Sequence, residues 1–147
     1  MDTHVRLDNH YLLIENTINR AYEKKGDKML AHLFFTRFFE QYPETRQFFK
    51  ATDIDSFGPK KIRYISDFLV DTVRHPDYAE TQIITEVMRH QVYGLKDKEY
   101  YYMLLDAFHA SVKKCLQDEW TVEMEDCWSD VIQAIRAQIY EATKDFL

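Results

Sequence analysis

Only three glycines and three prolines interrupt 147 residues. Sheet folds need frequent tight turns, and turns rely on these two residues, so the chain reads as long helices joined by short connections. The apolar pattern agrees. Residues of the core type recur at helical spacing nearly from end to end, with no internal repeat and no low-complexity segment. Aromatic residues make up 15% of the chain. They would serve either an ordinary helical core or a pocket lined for a flat apolar ligand, and composition does not choose between them. The length suits one domain, 1–147, with a well-formed core.

The helices are expected as follows. A first helix covers about 8–24, with Tyr11, Ile14, Ile18 and Ala21 on one face. Lys24-Lys25-Gly26-Asp27 breaks it, and Asp27 is placed to cap a second helix over about 28–41. That helix carries Leu30, Leu33, Phe34, Phe35, Phe38 and Phe39, an apolar face too wide for a surface helix. Pro43 suits the first turn of a short third helix, followed by a polar loop from Lys50 to Ser56. Gly58-Pro59 opens a fourth helix that His75-Pro76 stops. A fifth runs over about 78–91 with Ile83, Val87 and His90, and Gly94 ends it. Asp97 caps a long helix with a stripe of Met103, Leu104, Phe108, Val112 and Leu116. Thr121 caps the last, which repeats Met124, Trp128, Val131, Ile135 and Ile139. Helices of such uneven length do not resemble a symmetric four-helix bundle.

Charge and composition exclude several classes. The net charge is −6 with no basic run, which speaks against a nucleic-acid surface. No apolar stretch approaches the roughly 18–20 residues of a membrane span. Met1-Asp2-Thr3-His4 has no basic-then-apolar export pattern. Without such a signal Cys115 and Cys127 read as reduced thiols, and the cytoplasm is the expected location.

Three segments carry a resemblance. In Phe38-Phe39-Glu40-Gln41-Tyr42-Pro43-Glu44-Thr45-Arg46-Gln47-Phe48-Phe49, a Pro-Glu pair precedes a phenylalanine at Phe49. Gly58-Pro59-Lys60-Lys61-Ile62 opens a helix, and Arg89-His90-Gln91-Val92-Tyr93-Gly94-Leu95 runs on to Tyr100. In this order and spacing they resemble the globins, in particular bacterial single-domain globins and the haem domain of flavohaemoglobins. The resemblance implies an all-α globin fold of six to eight helices around a pocket for haem b, iron protoporphyrin IX. It makes His90 the proximal iron ligand and packs Phe49 on the haem face. It places Phe35, Gly58 and Ile62 on the distal side, and joins Tyr100 to the proximal histidine. A neutral imidazole is a good ligand for haem iron, and a single axial ligand leaves the other face open to a gas. The other histidines have no such reason to be ligands. His4, His10 and His75 are expected to face solvent, while His32 and His109 lie on helices that approach the core.

The departures from the family pattern bear on function. Phe35 stands where flavohaemoglobins carry a distal tyrosine, and Gly58 where they carry a glutamine. A pocket of Phe35, Phe49, Gly58 and Ile62 offers bound oxygen no hydrogen-bond donor. Lys61 is the polar candidate nearby, reaching either into water, toward the haem propionates, or to the iron as a neutral amine. The glutamate that completes the proximal network falls on Thr143, with Glu141 close by. There is no G-x-G-x-x-G segment for a reductase partner domain. The implied function is reversible binding of a diatomic gas (O2, NO or CO) for sensing or NO/O2 handling, without enzymatic turnover. One alternative is a haem-free signalling or interaction module with Phe34, Phe35, Phe48 and Phe49 filling the pocket. Another is an NO dioxygenase or weak peroxidase fed by a separate reductase. The partners are then a gas and a reductase or signalling protein, with neither nucleic acid nor membrane.

Overall fold

Where each helix stops is decided by a few residues. The computed structural model describes residues 3–92, 94–95 and 97–145, with side chains described from His10 onward. Tyr93 and Lys96 of the stretch around His90 lie outside the described residues, as does the His4 side chain. Helix α1 spans Thr3–Gln41 and is broken once, at Gly26, whose φ of 82° and ψ of 163° leave the helical region. A side chain there would be strained, so glycine sets the break and α1 has two arms. Pro43–Phe49 follows as a 3-10 segment, held at its start by Thr45, whose N–H and hydroxyl both donate to the Tyr42 carbonyl.

Helix α2 spans Ile54–Arg74 and begins four residues before the expected Gly58-Pro59 opening. Asp53 explains the difference. Its carboxylate accepts from the Asp55 N–H at 3.2 Å and the Ser56 hydroxyl at 2.9 Å, the bonding of an N-cap. Pro59 lies inside the helix at the cost of one backbone donor. His75 ends α2, a short turn at Pro76–Tyr78 reverses the chain, and α3 runs over Ala79–Val92. Gly94, at φ 91°, turns the backbone out of α3, and the Leu95 N–H donates to the His90 carbonyl at 3.1 Å. Helix α4 covers Glu99–Leu116, with Asp97 accepting from the Glu99 N–H at 2.9 Å. Helix α5 covers Val122–Thr143, and the Thr121 hydroxyl accepts from the Met124 N–H at 3.1 Å. Counting the two arms of α1 separately gives six α-helices, and no strand occurs among the described residues.

The second arm of α1 is buried along the expected stripe, with Leu30, Phe34, Phe35, Phe38 and Phe39 all in the core. Helix α4 keeps Phe108, Val112 and Leu116 of the expected stripe in the core and departs from it at Met103 and Leu104. Tyr102, Leu105, Phe108 and Val112 are buried, whereas Met103 and Leu104 are half-exposed. The reason is tertiary: α4 packs mainly on α1, so its inward face is set by that neighbour. Trp128 of α5 is fully buried, and its indole N–H donates to the Thr17 hydroxyl of α1 at 2.8 Å. Cys115 and Cys127 are buried free thiols, and burial pushes the Cys127 thiol up to about 12. No helix among the described residues is long and apolar enough to cross a membrane.

His10 and His75 depart from each other in setting. His75 is exposed, whereas His10 is half-buried with Nε2 3.7 Å from an Asp130 carboxylate oxygen. His109 lies parallel to the Trp128 ring, at 5.5 Å between centroids and 15° between planes. Burial holds its imidazole below the ordinary 6.5, an effect that Glu125 opposes and Lys113 reinforces. The unfolded chain therefore takes up this proton at a higher pH than the native one. Its contribution to stability is complete above pH 6.5 and falls as the pH drops through the lower native value. A single proton of this kind gives a slope of at most about 1.4 kcal/mol per pH unit. Urea midpoints taken from neutral to mildly acidic pH are expected to fall, and to fall less steeply in His109→Gln.

Candidate functional site

Helices α2 and α3 pack on different neighbours. Helix α2 rests chiefly on α1 and α3 chiefly on α5, and the two approach each other far less. Where they do meet, they run antiparallel. The Thr72 hydroxyl donates to Gln82 at 3.4 Å near the connection, and Tyr64, about two turns back along α2, donates to Glu86, about one turn on along α3. Lys61 lies one turn from Tyr64 and His90 one turn from Glu86, near enough for the Lys61 charge to act on the His90 imidazole.

His90 is half-buried, and its Nδ1 lies 2.7 Å from the Glu86 carbonyl oxygen. A carbonyl only accepts, so Nδ1 carries the proton and the Nε2 lone pair is free. Burial depresses the His90 imidazole, and the nearby Lys61 charge depresses it further, which keeps the ring neutral at physiological pH. The ring edge of Tyr101 packs on His90 at 5.9 Å and 87°. The Tyr101 hydroxyl is buried and has no hydrogen-bond partner among the described residues. Burial raises its pKa well above the ordinary tyrosine value.

Lys61 is half-buried on the edge of α2 that faces α3. The carboxylate nearest in register, Glu86, already accepts from Arg89 at 2.6 Å and from Tyr64. Among the described residues the Lys61 amine has neither hydrogen bond nor ion pair, only the Tyr64 ring at 5.6 Å. Burial lowers its pKa, with Glu86 opposing the shift and Arg89 adding to it. Of the polar groups around His90, the Tyr101 hydroxyl is the buried one without a hydrogen-bond partner among the described residues.

The apolar residues form a separate wall. Phe35 meets Phe49 edge-on at 5.4 Å, and Phe49 also touches Phe39 at 5.6 Å and Phe57 at 6.2 Å. Gly58 joins this wall at the crossing of α1 and α2. A Cβ there would lie 3.4 Å from the Ala31 Cβ and 3.5 Å from the Phe35 ring. A Cβ would thus sit in ordinary contact with α1, and a longer side chain would press on Ala31 and Phe35. Ile62, one turn on and fully buried, continues the same stripe. Gly58→Leu is expected to lower stability by about 1–3 kcal/mol through overpacking, read as a reduced urea midpoint. Gly58→Gln is expected to do likewise, without placing its amide in the slot.

Tyr100, expected beside the histidine, packs instead on Phe48 at 5.0 Å. Tyr101, the next residue along α4, packs against His90. Glu86 was legible in principle, since it lies four residues before His90 on one helix. Tyr64 and Tyr101 gave no sequence signal, as both reach the slot only through tertiary packing. A cleft of about 700 Å³ lies elsewhere, lined by Ala31, Phe35, Phe39, Arg46, Asp55 and Pro59 among others. His90 is not among its lining residues, so the cleft lies apart from the slot. No group of three or more His, Cys, Asp or Glu placed to hold a metal ion occurs among the described residues.

The globin family model matches residues 32–139, which is most of the chain and includes the whole α2–α3 slot. The protein belongs to the globin family, a haem-binding class. No curated protein matches the chain significantly.

Proposed function

We propose that this globin holds haem b in the slot between α2 and α3, with His90 as the proximal iron ligand. In this reading it reversibly binds a diatomic gas on the opposite face. The observation that carries the reading is the 2.7 Å bond from His90 Nδ1–H to the Glu86 carbonyl. It fixes the ring and its tautomer, and leaves Nε2 as the coordinating atom, the arrangement a metal-bound imidazole requires. The buried Tyr101 hydroxyl, without a hydrogen-bond partner among the described residues, fits a slot that receives a polar-edged ligand.

Haem supplies the iron that a gas coordinates, and this chain's residues set what that gas meets. On the distal side that the family resemblance implies, Phe35 and Phe49 offer no hydrogen-bond donor and Gly58 has no side chain, although these residues pack with one another and not against His90. Oxygen bound to haem becomes polarised and relies on such donors, whereas CO and NO rely on them less. The site accordingly favours NO or CO sensing or handling over oxygen storage. Oxygen-dependent NO turnover fed by a separate reductase is disfavoured for the same reason.

The test is haem uptake. Titration with haemin is expected to give one equivalent of bound haem with a sharp Soret band. It is also expected to stabilise the fold, by about 2.7 kcal/mol when free haem stands at about 100 times its Kd. A colourless protein whose melting temperature ignores haemin would overturn the reading. It would point instead to a haem-free module acting through protein contacts.

A further inference from the structure

We propose that the cleft between the second arm of α1, the 3-10 segment and the start of α2 binds a free aromatic α-amino acid. The cleft lies apart from the His90 slot, so this site does not depend on the haem reading.

Three elements build the cleft. Its floor is one stripe of α1, where Ala31, Phe35 and Phe39 recur every fourth residue and are all buried. Eight residues of helix give that stripe a length of about 12 Å, enough for an aromatic side chain laid along it. Pro59 of α2 adds to the apolar wall. The cleft volume of about 700 Å³ falls within the roughly 300–1,000 Å³ of small-molecule sites. The Phe35 and Phe39 rings stand 5.7 Å apart and tilted by 35°, a floor on which a further ring packs at an offset or edge-on.

Charges of both signs gather at the Phe39 end. The Arg46 guanidinium lies over the Phe39 ring at 4.6 Å, and Glu40 follows Phe39 on α1. Phe49 touches both Phe39 at 5.6 Å and Phe57 at 6.2 Å, which brings the first turn of α2, and Asp55 with it, to the same end. Among the described residues none of these three charged side chains has an ion pair or a hydrogen bond. Opposite charges that line one cleft without pairing are left for a guest that carries both signs. A lone carboxylate would meet Glu40 and Asp55 as like charges, and a lone amine would meet Arg46. An α-amino acid carries both groups on one carbon. Its carboxylate suits the planar fork of Arg46, and its ammonium suits Glu40 and Asp55. Its side chain then runs over Phe35 toward Ala31 and Pro59.

Isothermal titration with L-phenylalanine is expected to show saturable one-to-one binding. Phenylpropionate lacks the ammonium, phenethylamine lacks the carboxylate, and alanine lacks the ring. Each is expected to bind at least about tenfold more weakly, the factor set by losing one charge-assisted bond or the ring contact. Arg46→Gln should weaken phenylalanine to the same degree, as should Glu40→Gln combined with Asp55→Asn. These three residues are exposed, and unchanged circular dichroism confirms that the comparison is made on folded protein. Amide chemical-shift changes should centre on Ala31, Phe39 and Arg46, and saturating haemin should leave the phenylalanine affinity unchanged.

Absence of saturable binding would overturn the assignment, as would phenylpropionate or phenethylamine binding as tightly as phenylalanine. Shifts centred on His90, or binding abolished by haemin, would move the amino acid to the α2–α3 slot and overturn the cleft as its site. A protein that takes up no haem yet binds these compounds in the expected order would overturn the haem reading alone and uphold the cleft.

Discussion

His90→Gly is expected to lose haem on gel filtration, and to regain it when imidazole is supplied at millimolar concentration. The side chain contributes one coordinate bond through Nε2, and the Nδ1–H bond to Glu86 directs that atom into the slot. Glycine removes the ligand and leaves a space that free imidazole fits. Fold stability should change little by comparison. His90 is 26% exposed near the end of α3, and a glycine inside a helix costs about 1 kcal/mol. The variant should therefore remain folded while its Soret band weakens and shifts. If His90→Gly retained haem with the wild-type spectrum and without imidazole, another residue would have to hold the iron. Recovery with imidazole matters because a merely structural role for His90 would not produce it.

Trp128→Ala is expected to be the most destabilising single substitution, at about 3–5 kcal/mol. The indole is fully buried and shared among three aromatic neighbours. Phe108 lies at 6.0 Å, Trp120 at 6.1 Å and His109 at 5.5 Å. Its N–H also ties α5 to α1 through Thr17. Native domains hold about 5–15 kcal/mol in all, so this one change removes a large part of the margin. Urea denaturation should show a much lower midpoint with an unchanged slope, the signature of lost stability in a cooperative fold. Trp128→Phe should cost less, because it keeps most of the packing and removes the hydrogen bond, worth about 1 kcal/mol. A Trp128→Ala variant within 1 kcal/mol of the wild type, roughly the worth of that single bond, would show that the cavity closes by rearrangement.

These two residues illustrate how differently a fold and a site are written in sequence. Trp128 stands in a helical repeat with Met124, Val131 and Ile135, so its burial follows from periodicity alone. Gly26, Asp97 and Thr121 likewise mark their breaks and caps by local chemistry. Asp53 was overshadowed by the more conspicuous Gly58-Pro59, and the start of α2 was placed too late for that reason. The proline reads as a helix opening because its ring suits the first turn, but the capping carboxylate outweighed it.

The site was less legible. His90, Phe49 and Phe35 were marked by spacing along the chain, which a resemblance preserves. Whether Tyr100 or Tyr101 faces the histidine depends on the rotation of α4 against α1, and one residue of rotation moves a side chain by about 100°. Gly58 reads as an emptied pocket position in the sequence. In the structure it is the contact point of two helices, since the distance to Ala31 and Phe35 is set by how α1 crosses α2.

The sparing use of glycine and proline, together with helical periodicity, was sufficient by itself to determine an all-α chain broken near residues 26, 43, 76 and 94. Local terms are enough for that, because capping, propensity and amphipathic phase act within a few residues. Only the tertiary structure decided that Tyr64 of α2 meets Glu86 of α3, and that Tyr101 of α4 packs on His90. The first pairing depends on how α2 lies against α3, where Thr72 also bonds to Gln82. Contacts between residues so far apart in the chain leave no periodic trace in it.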